Sequence, residues 1–199
     1  MPNYEFENEL LEQGFAVVAG TDEAGRGPLA GDVFAAAVIL PMGLVIEGLD
    51  DSKKLTEKKR DALYEIIKKE AISYAVATAS VEEIDTINIL NASQLAMRRA
   101  VAMLTPCPDA VLVDGNVARE FPMHVKTLIK GDSKSMSVAA ASILAKVERD
   151  RYMEELDRLY PQYQFGKHKG YSTKLHMDLV REFGPSPVHR KTFLKFLNK

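Results

Sequence analysis

Short apolar runs punctuate this chain, each bounded by glycine, proline or an acid, and they constrain its fold more than any other feature. Phe15 to Ala19 reads as a buried strand leading into Asp22-Glu23. Asp32 to Leu40 (DVFAAAVIL) reads as a second strand, ended by Pro41 and Gly43, and Ile72 to Ala79 as a third. Ala110 to Val113 ends on Asp114-Gly115-Asn116, and Val125 to Ile129 on Lys130-Gly131-Asp132. The most apolar run, Val33 to Leu40, is far short of the roughly 20 residues a membrane span needs.

Helical patterns fill the gaps. Thr56 is placed to cap a helix whose Leu63, Ile66 and Ile67 recur at helical spacing, with Glu57 at its start and Lys68 and Lys69 at its end. Ser80-Val81-Glu82-Glu83 has capping-box spacing and opens a short helix. A longer one runs from about Ile89 to Leu104. Another runs from about Ser135 to Tyr160, rich in small residues at Ala139 to Ser142. Two further helices are expected near Thr173 to Phe183 and near Val188 to Leu197. The expected fold is α/β, a mixed sheet flanked by helices. Residues 1–160 would form the main domain, and 161–199 a small basic helical extension packed on it as one continuous unit.

The chain has 199 residues, 46% hydrophobic and 27% charged, and one cysteine, Cys107, which leaves no disulfide framework or cysteine-based zinc site. Met1 to Gln13 is acidic, so no signal peptide is expected, and the reading is a cytoplasmic protein, monomeric by default. The net charge of −2 conceals an asymmetry. Residues 1–100 carry 10 Lys/Arg against 17 Asp/Glu, whereas the last forty carry eight against two and three of the four histidines. One region is suited to cations and the other to a polyanion.

Three expected strands end on acids: Asp22 with Glu23, Asp114, and Asp132. Acids gathered at sheet ends repel one another unless a cation neutralises them, and oxygen-only ligands point to Mg²⁺ or Mn²⁺. Successive strand residues face opposite ways, so Asp22 and Glu23 share a site only if the strand breaks or bulges, or if the longer Glu23 reaches around. No Walker-type phosphate loop is present, which leaves a nuclease or a phosphatase acting through bound metal. The basic C-terminal part favours a polymeric substrate. Gly25-Arg26-Gly27 allows close approach to a phosphate, Lys53 and Lys54 could contact phosphates, and Lys169 and Tyr171 could meet a backbone and a sugar or base. His189-Arg190-Lys191 is a further basic candidate. His124 reads as a surface residue and Asp150 as a helix salt-bridge partner.

In order along the chain, Asp22-Glu23-Ala24-Gly25-Arg26-Gly27-Pro28, Asp51-Ser52-Lys53-Lys54-Leu55, Val113-Asp114-Gly115, Lys130-Gly131-Asp132, Ala139 to Asp150 and His168-Lys169-Gly170-Tyr171 resemble bacterial ribonuclease HII, as does the trailing His189-Arg190. The resemblance implies a ribonuclease H-like fold and a metal-dependent endonuclease. It would act on RNA–DNA hybrids and on ribonucleotides embedded in duplex DNA, cutting on their 5′ side to leave 3′-hydroxyl and 5′-phosphate ends. It implies that Asp22, Glu23, Asp114 and Asp132 hold the metal ions. It also implies that Gly25, Arg26, Gly27 and Tyr171 recognise the ribonucleotide-to-deoxyribonucleotide junction.

Overall fold

The computed structural model describes residues 1–198. Five strands form one sheet: β1 (Val18–Ala24), β2 (Val33–Ile39), β3 (Ser73–Ala79), β4 (Ala110–Asp114) and β5 (His124–Leu128). Their order is β3-β2-β1-β4-β5. β1, β2 and β3 pair antiparallel through short connections or one helix, while β4 and β5 join as parallel neighbours. The mixed pairing matches the sequence expectation.

The helices are α1 (Glu5–Glu12), α2 (Glu57–Glu70), α3 (Val81–Ala102), α4 (Met136–Leu159), α5 (Phe165–His168) and α6 (Lys174–Phe183). β2 shows why the chain layers as it does. All seven of its residues are buried, because Val33, Ala35, Ala37 and Ile39 pack beneath α3 while Ala36 and Val38 pack beneath α2 and α4. Small residues let α4 lie directly on β1. A Cβ on Gly20 would fall 2.3 Å from the Ser137 carbonyl carbon. The expected caps form: Thr56 accepts from the Lys59 N–H, and Ser80 and Glu83 make a reciprocal capping box. The short and long helices expected after Ser80 are two legs of α3, separated at Asn88, whose φ is +67°. The Asn88 side chain then caps the second leg through the Asn91 N–H.

One expected helix does not form. Val188 to Leu197 is not a helix. Residues 188–190 run beside Leu29 to Gly31, with Arg190 N–H donating to Leu29 O and Gly31 N–H to Val188 O, and short 3₁₀ turns follow at Lys191–Phe193 and Lys195–Asn198. Backbone pairing to a distant loop outweighs the local helical spacing. The acidic N-terminus, left without structure by the sequence reading, forms α1. Its buried Glu7 accepts from Ser135 Oγ and from the N–H and Oγ of Ser137, tying α1 to the start of α4. Residues from α5 onward pack with Leu29, Ala30, Met153 and Leu156 in a third apolar cluster. Among the described residues no helix is long and apolar enough to cross a membrane.

Candidate active site

β1 and β4 stay paired only as far as Thr21 and Val113, so the residues just beyond, Asp22 and Asp114, stand where the two strands part. Asp22 and Glu23 do not follow the strand end, as expected, but lie inside β1, which continues to Ala24 opposite Phe34. Nor does the strand bulge, since the β1–β2 register advances one residue at a time through both acids. Asp22 therefore shares the α4 face with Gly20, and the longer Glu23 side chain leaves from the other pleat.

Asp22 is buried, and its carboxylate accepts the Glu23 N–H at 2.7 Å. Burial first, then the charges of Glu23, Asp114 and Asp132, pushes its pKa well above the usual carboxylate range. Glu23 is raised by burial too, against the pull of Arg26, whose Nη1 lies 3.1 Å from Glu23 Oε1. Asp114 Oδ1 accepts the Gly131 N–H at 2.6 Å and so anchors the 3₁₀ turn Gly131–Ser133 that carries Asp132. Lys130 enters that turn in the left-handed region, with φ of +57°. Asp132 is raised by burial, then by Asp114 and Asp51, and Lys53 Nζ opposes this from 3.8 Å. Asp51, which the sequence reading did not single out, lines the same recess as Asp114 and Asp132.

Four carboxylates, of which Asp22, Glu23 and Asp132 are raised by burial and by neighbouring acids, are hard oxygen donors chemically suited to Mg²⁺ or Mn²⁺. Among the described residues no three of them are gathered into a formed metal cage. Glu23 pairs instead with Arg26, Asp114 accepts from the Gly131 N–H, and Asp132 faces Lys53. The donor chemistry fits a divalent ion, which would take over from those partners.

Beside the acids lies a cleft of about 270 Å³ lined by Glu23, Gly25, Arg26, Lys53, Lys146 and Tyr171, among others. Gly25 has φ of +95°, and a Cβ there would fall 2.0 Å from Arg149 Nε, so the position tolerates only glycine. The Tyr171 ring comes to 3.8 Å from the Cβ position of Gly27, is 43% exposed, and lies 5.9 Å from the Arg149 guanidinium carbon. Lys54 lines not this cleft but the recess of Asp114 and Asp132, and it pairs with Asp50 at 3.0 Å. Lys169 points elsewhere, its Nζ bound to Glu154 at 2.9 Å.

His189 and Arg190 are fully buried, so they cannot meet phosphates as the sequence reading allowed. Arg190 instead donates to the carbonyls of Gly25, Arg26, Pro28 and Gly31 at 2.6 to 3.0 Å, fixing the Gly-Arg-Gly turn from behind. Arg149 donates to Ala30 O and Lys169 O, joining that turn to the Tyr171 loop. Local sequence carries no signal for these partners. Asp150 behaves as expected, paired with Lys146 and Arg60, and His124 is exposed and stacked on Phe15.

The family described as Ribonuclease HII matches residues 19–196. The chain belongs to the ribonuclease HII family. It is 55% identical over 192 residues to the ribonuclease HII of Caldicellulosiruptor saccharolyticus, a match covering 96% of this chain and 94% of that one. The ribonuclease H2 structure from Pyrococcus horikoshii OT3 superposes with a TM-score of 0.73 at 26% identity, over 92% of this chain and 100% of that one. Bst-RNase HIII, solved in complex with Mn²⁺, shares the fold at a TM-score of 0.64 and 20% identity, over 91% of this chain and 64% of that one. The sheet and its flanking helices are thus ribonuclease H-like, and the chain is a type 2 ribonuclease H, a hydrolase.

Proposed function

We propose that this family member is a metal-dependent endonuclease that hydrolyses the RNA strand of RNA–DNA hybrids. It also cuts on the 5′ side of ribonucleotides embedded in duplex DNA, leaving 3′-hydroxyl and 5′-phosphate ends. The observation supporting this reading is that the mutually repelling acids adjoin the cleft formed by Gly25-Arg26-Gly27 and Tyr171. Asp22, Glu23, Asp114 and Asp132 would hold Mg²⁺ or Mn²⁺, two ions during reaction. Such ions supply an activated water and neutralise charge on the departing oxygen.

The remaining work falls to the chain's own groups. The Gly25 to Gly27 backbone, held by Arg190, can come close enough to a ribose to read its 2′-hydroxyl, the group that separates RNA from DNA. Arg26 is half-exposed and can exchange Glu23 for a phosphate. Tyr171 offers its ring to the neighbouring sugar, and Lys53 and Lys54 offer charge to the strand. Lys169 would serve in the same way only after releasing Glu154. The same reading takes the enzyme to be a cytoplasmic monomer.

The test is a duplex carrying one ribonucleotide, incubated with Mg²⁺ or Mn²⁺ beside an all-DNA duplex, with product ends mapped. Incision 5′ to the ribonucleotide with a 3′-hydroxyl end is expected. No cleavage under either metal would overturn the enzyme reading, and equal cleavage of all-DNA would overturn the junction role of Arg26 and Tyr171.

A further inference from the structure

Behind Tyr171 lie three buried histidines, His168, His176 and His189, on three separate segments. The His168 and His176 rings stack at 4.2 Å, and Phe165 packs edge-on against His176 at 5.5 Å, closing the cluster from water. The hydrogen bonds leave only one assignment of protons. Tyr171 O can only accept, so His176 Nδ1 carries hydrogen and donates to it at 2.9 Å. His176 Nε2 is then an acceptor, 3.1 Å from His189 Nε2, which must donate. His189 Nδ1 is left to accept, and it receives both the N–H and the Oγ of Ser186, at 3.0 and 2.8 Å. His168 completes the frame by donating from Nε2 to Tyr163 O and accepting the Gly170 N–H at Nδ1.

Each imidazole is therefore neutral, with one donor and one acceptor used, and the chain runs in one direction from Ser186 to the main chain of Tyr171. The loop it holds is demanding. Lys169 and Gly170 both have positive φ, at +49° and +81°, and the Gly170 carbonyl is fixed by the Leu29 N–H at 2.8 Å.

We infer that His176 and His189 are positioning residues for the substrate, acting through the Tyr171 main chain to hold the ring over the cleft beside Gly27. This rests on the reading of Tyr171 as a substrate-facing residue. The adjacent pair His189-Arg190 then braces both sides of the cleft, His189 through His176 to Tyr171 and Arg190 directly to the Gly25 to Pro28 carbonyls. A side chain of similar shape that lacks the Nδ1 donor would free the loop. Asparagine, whose amide N–H sits near the Nδ1 position, would restore the bond.

The experiment compares wild type, H176L, H176N, Y171A and the double variant Y171A/H176L on the single-ribonucleotide duplex. Removing a sugar- or base-facing aromatic predicts a rise in KM of about tenfold for Y171A. H176L should reproduce most of that rise with kcat within about threefold, H176N should return to near wild type, and H176L should add nothing in the Y171A background. An unchanged KM in Y171A overturns the reading of Tyr171 itself. A full Y171A effect with H176L silent, with additive losses, or with no rescue by asparagine overturns the histidine chain alone. Nitrogen NMR of the histidine rings in the wild-type enzyme decides independently of any variant's folding. Hydrogen on His176 Nδ1 and His189 Nε2 is expected, and the opposite tautomer at either ring contradicts the inference.

Discussion

Arg190 Nη2 donates to the carbonyl oxygen of Gly25 at 2.6 Å, across 165 positions of sequence. Burial and the nearby Arg149 lower the Arg190 pKa to about 9, so it remains a cation at neutral pH. Its forked donors gather four carbonyls, three of them in buried bonds. Arg190→Lys keeps the charge but cannot span them. A loss of about 3 kcal/mol in urea unfolding is expected, together with lower kcat/KM on a ribonucleotide-bearing duplex. Unchanged stability would refute the bracing role.

Gly20→Ala tests how closely α4 sits on β1. The added Cβ would meet the Ser137 carbonyl carbon at 2.3 Å and the Val138 nitrogen at 2.4 Å, backbone atoms that cannot rotate away. Destabilisation of about 3 kcal/mol or more, measured by denaturant unfolding, is expected from such overpacking.

The histidine cluster makes stability depend on pH. Burial, ahead of the neighbouring rings' charges, lowers both His176 and His189 to about 4 in the folded state, against about 6.5 unfolded. The charge of Asp157, on α4, opposes the effect of burial at His168. A depressed folded pKa means the contribution is whole above about pH 6.5 and is lost as pH falls toward about 4, by about 1.4 kcal/mol per unit for each ring. Urea midpoints at pH 7.5, 6 and 5 should decline accordingly, and less steeply in H176N.

Lys53 faces Asp132 at 3.8 Å and is mostly exposed, so a phosphate can compete for it. Lys53→Ala should weaken duplex binding and reduce the slope of log K against log salt by about one, as the loss of a single phosphate contact requires. An unchanged slope would remove Lys53 from the interface.

What was legible in the sequence follows from range. Val33 to Ile39, Ala110 to Asp114 and the caps at Thr56 and Ser80 depend on residues a few positions apart, and all formed as expected. Asp114 and Asp132 were legible because turns hold them at sheet ends. The extent of β1 was not, since its continuation through Asp22 and Glu23 depends on pairing with β2. Nor was the fate of 188–197, where Leu29 and Gly31 compete for the backbone. His176, His189 and Arg190 carry polar side chains that a local reading assigns to the surface. Only their partners, 5 to 165 residues away, reveal why they are buried.

The central claim, that the clustered acids do the chemistry, is tested most directly by Asp114→Asn. The amide keeps the shape and can turn its carbonyl to the Gly131 N–H, while the charge that acts on Asp22, and that would help hold a cation beside it, is lost. Cleavage of a single-ribonucleotide duplex and its binding by fluorescence anisotropy would be measured on the same preparation. The account predicts cleavage lower by about a thousandfold, equivalent to about 4 kcal/mol of transition-state stabilisation, with binding within about threefold of wild type. Cleavage at the wild-type rate would contradict it.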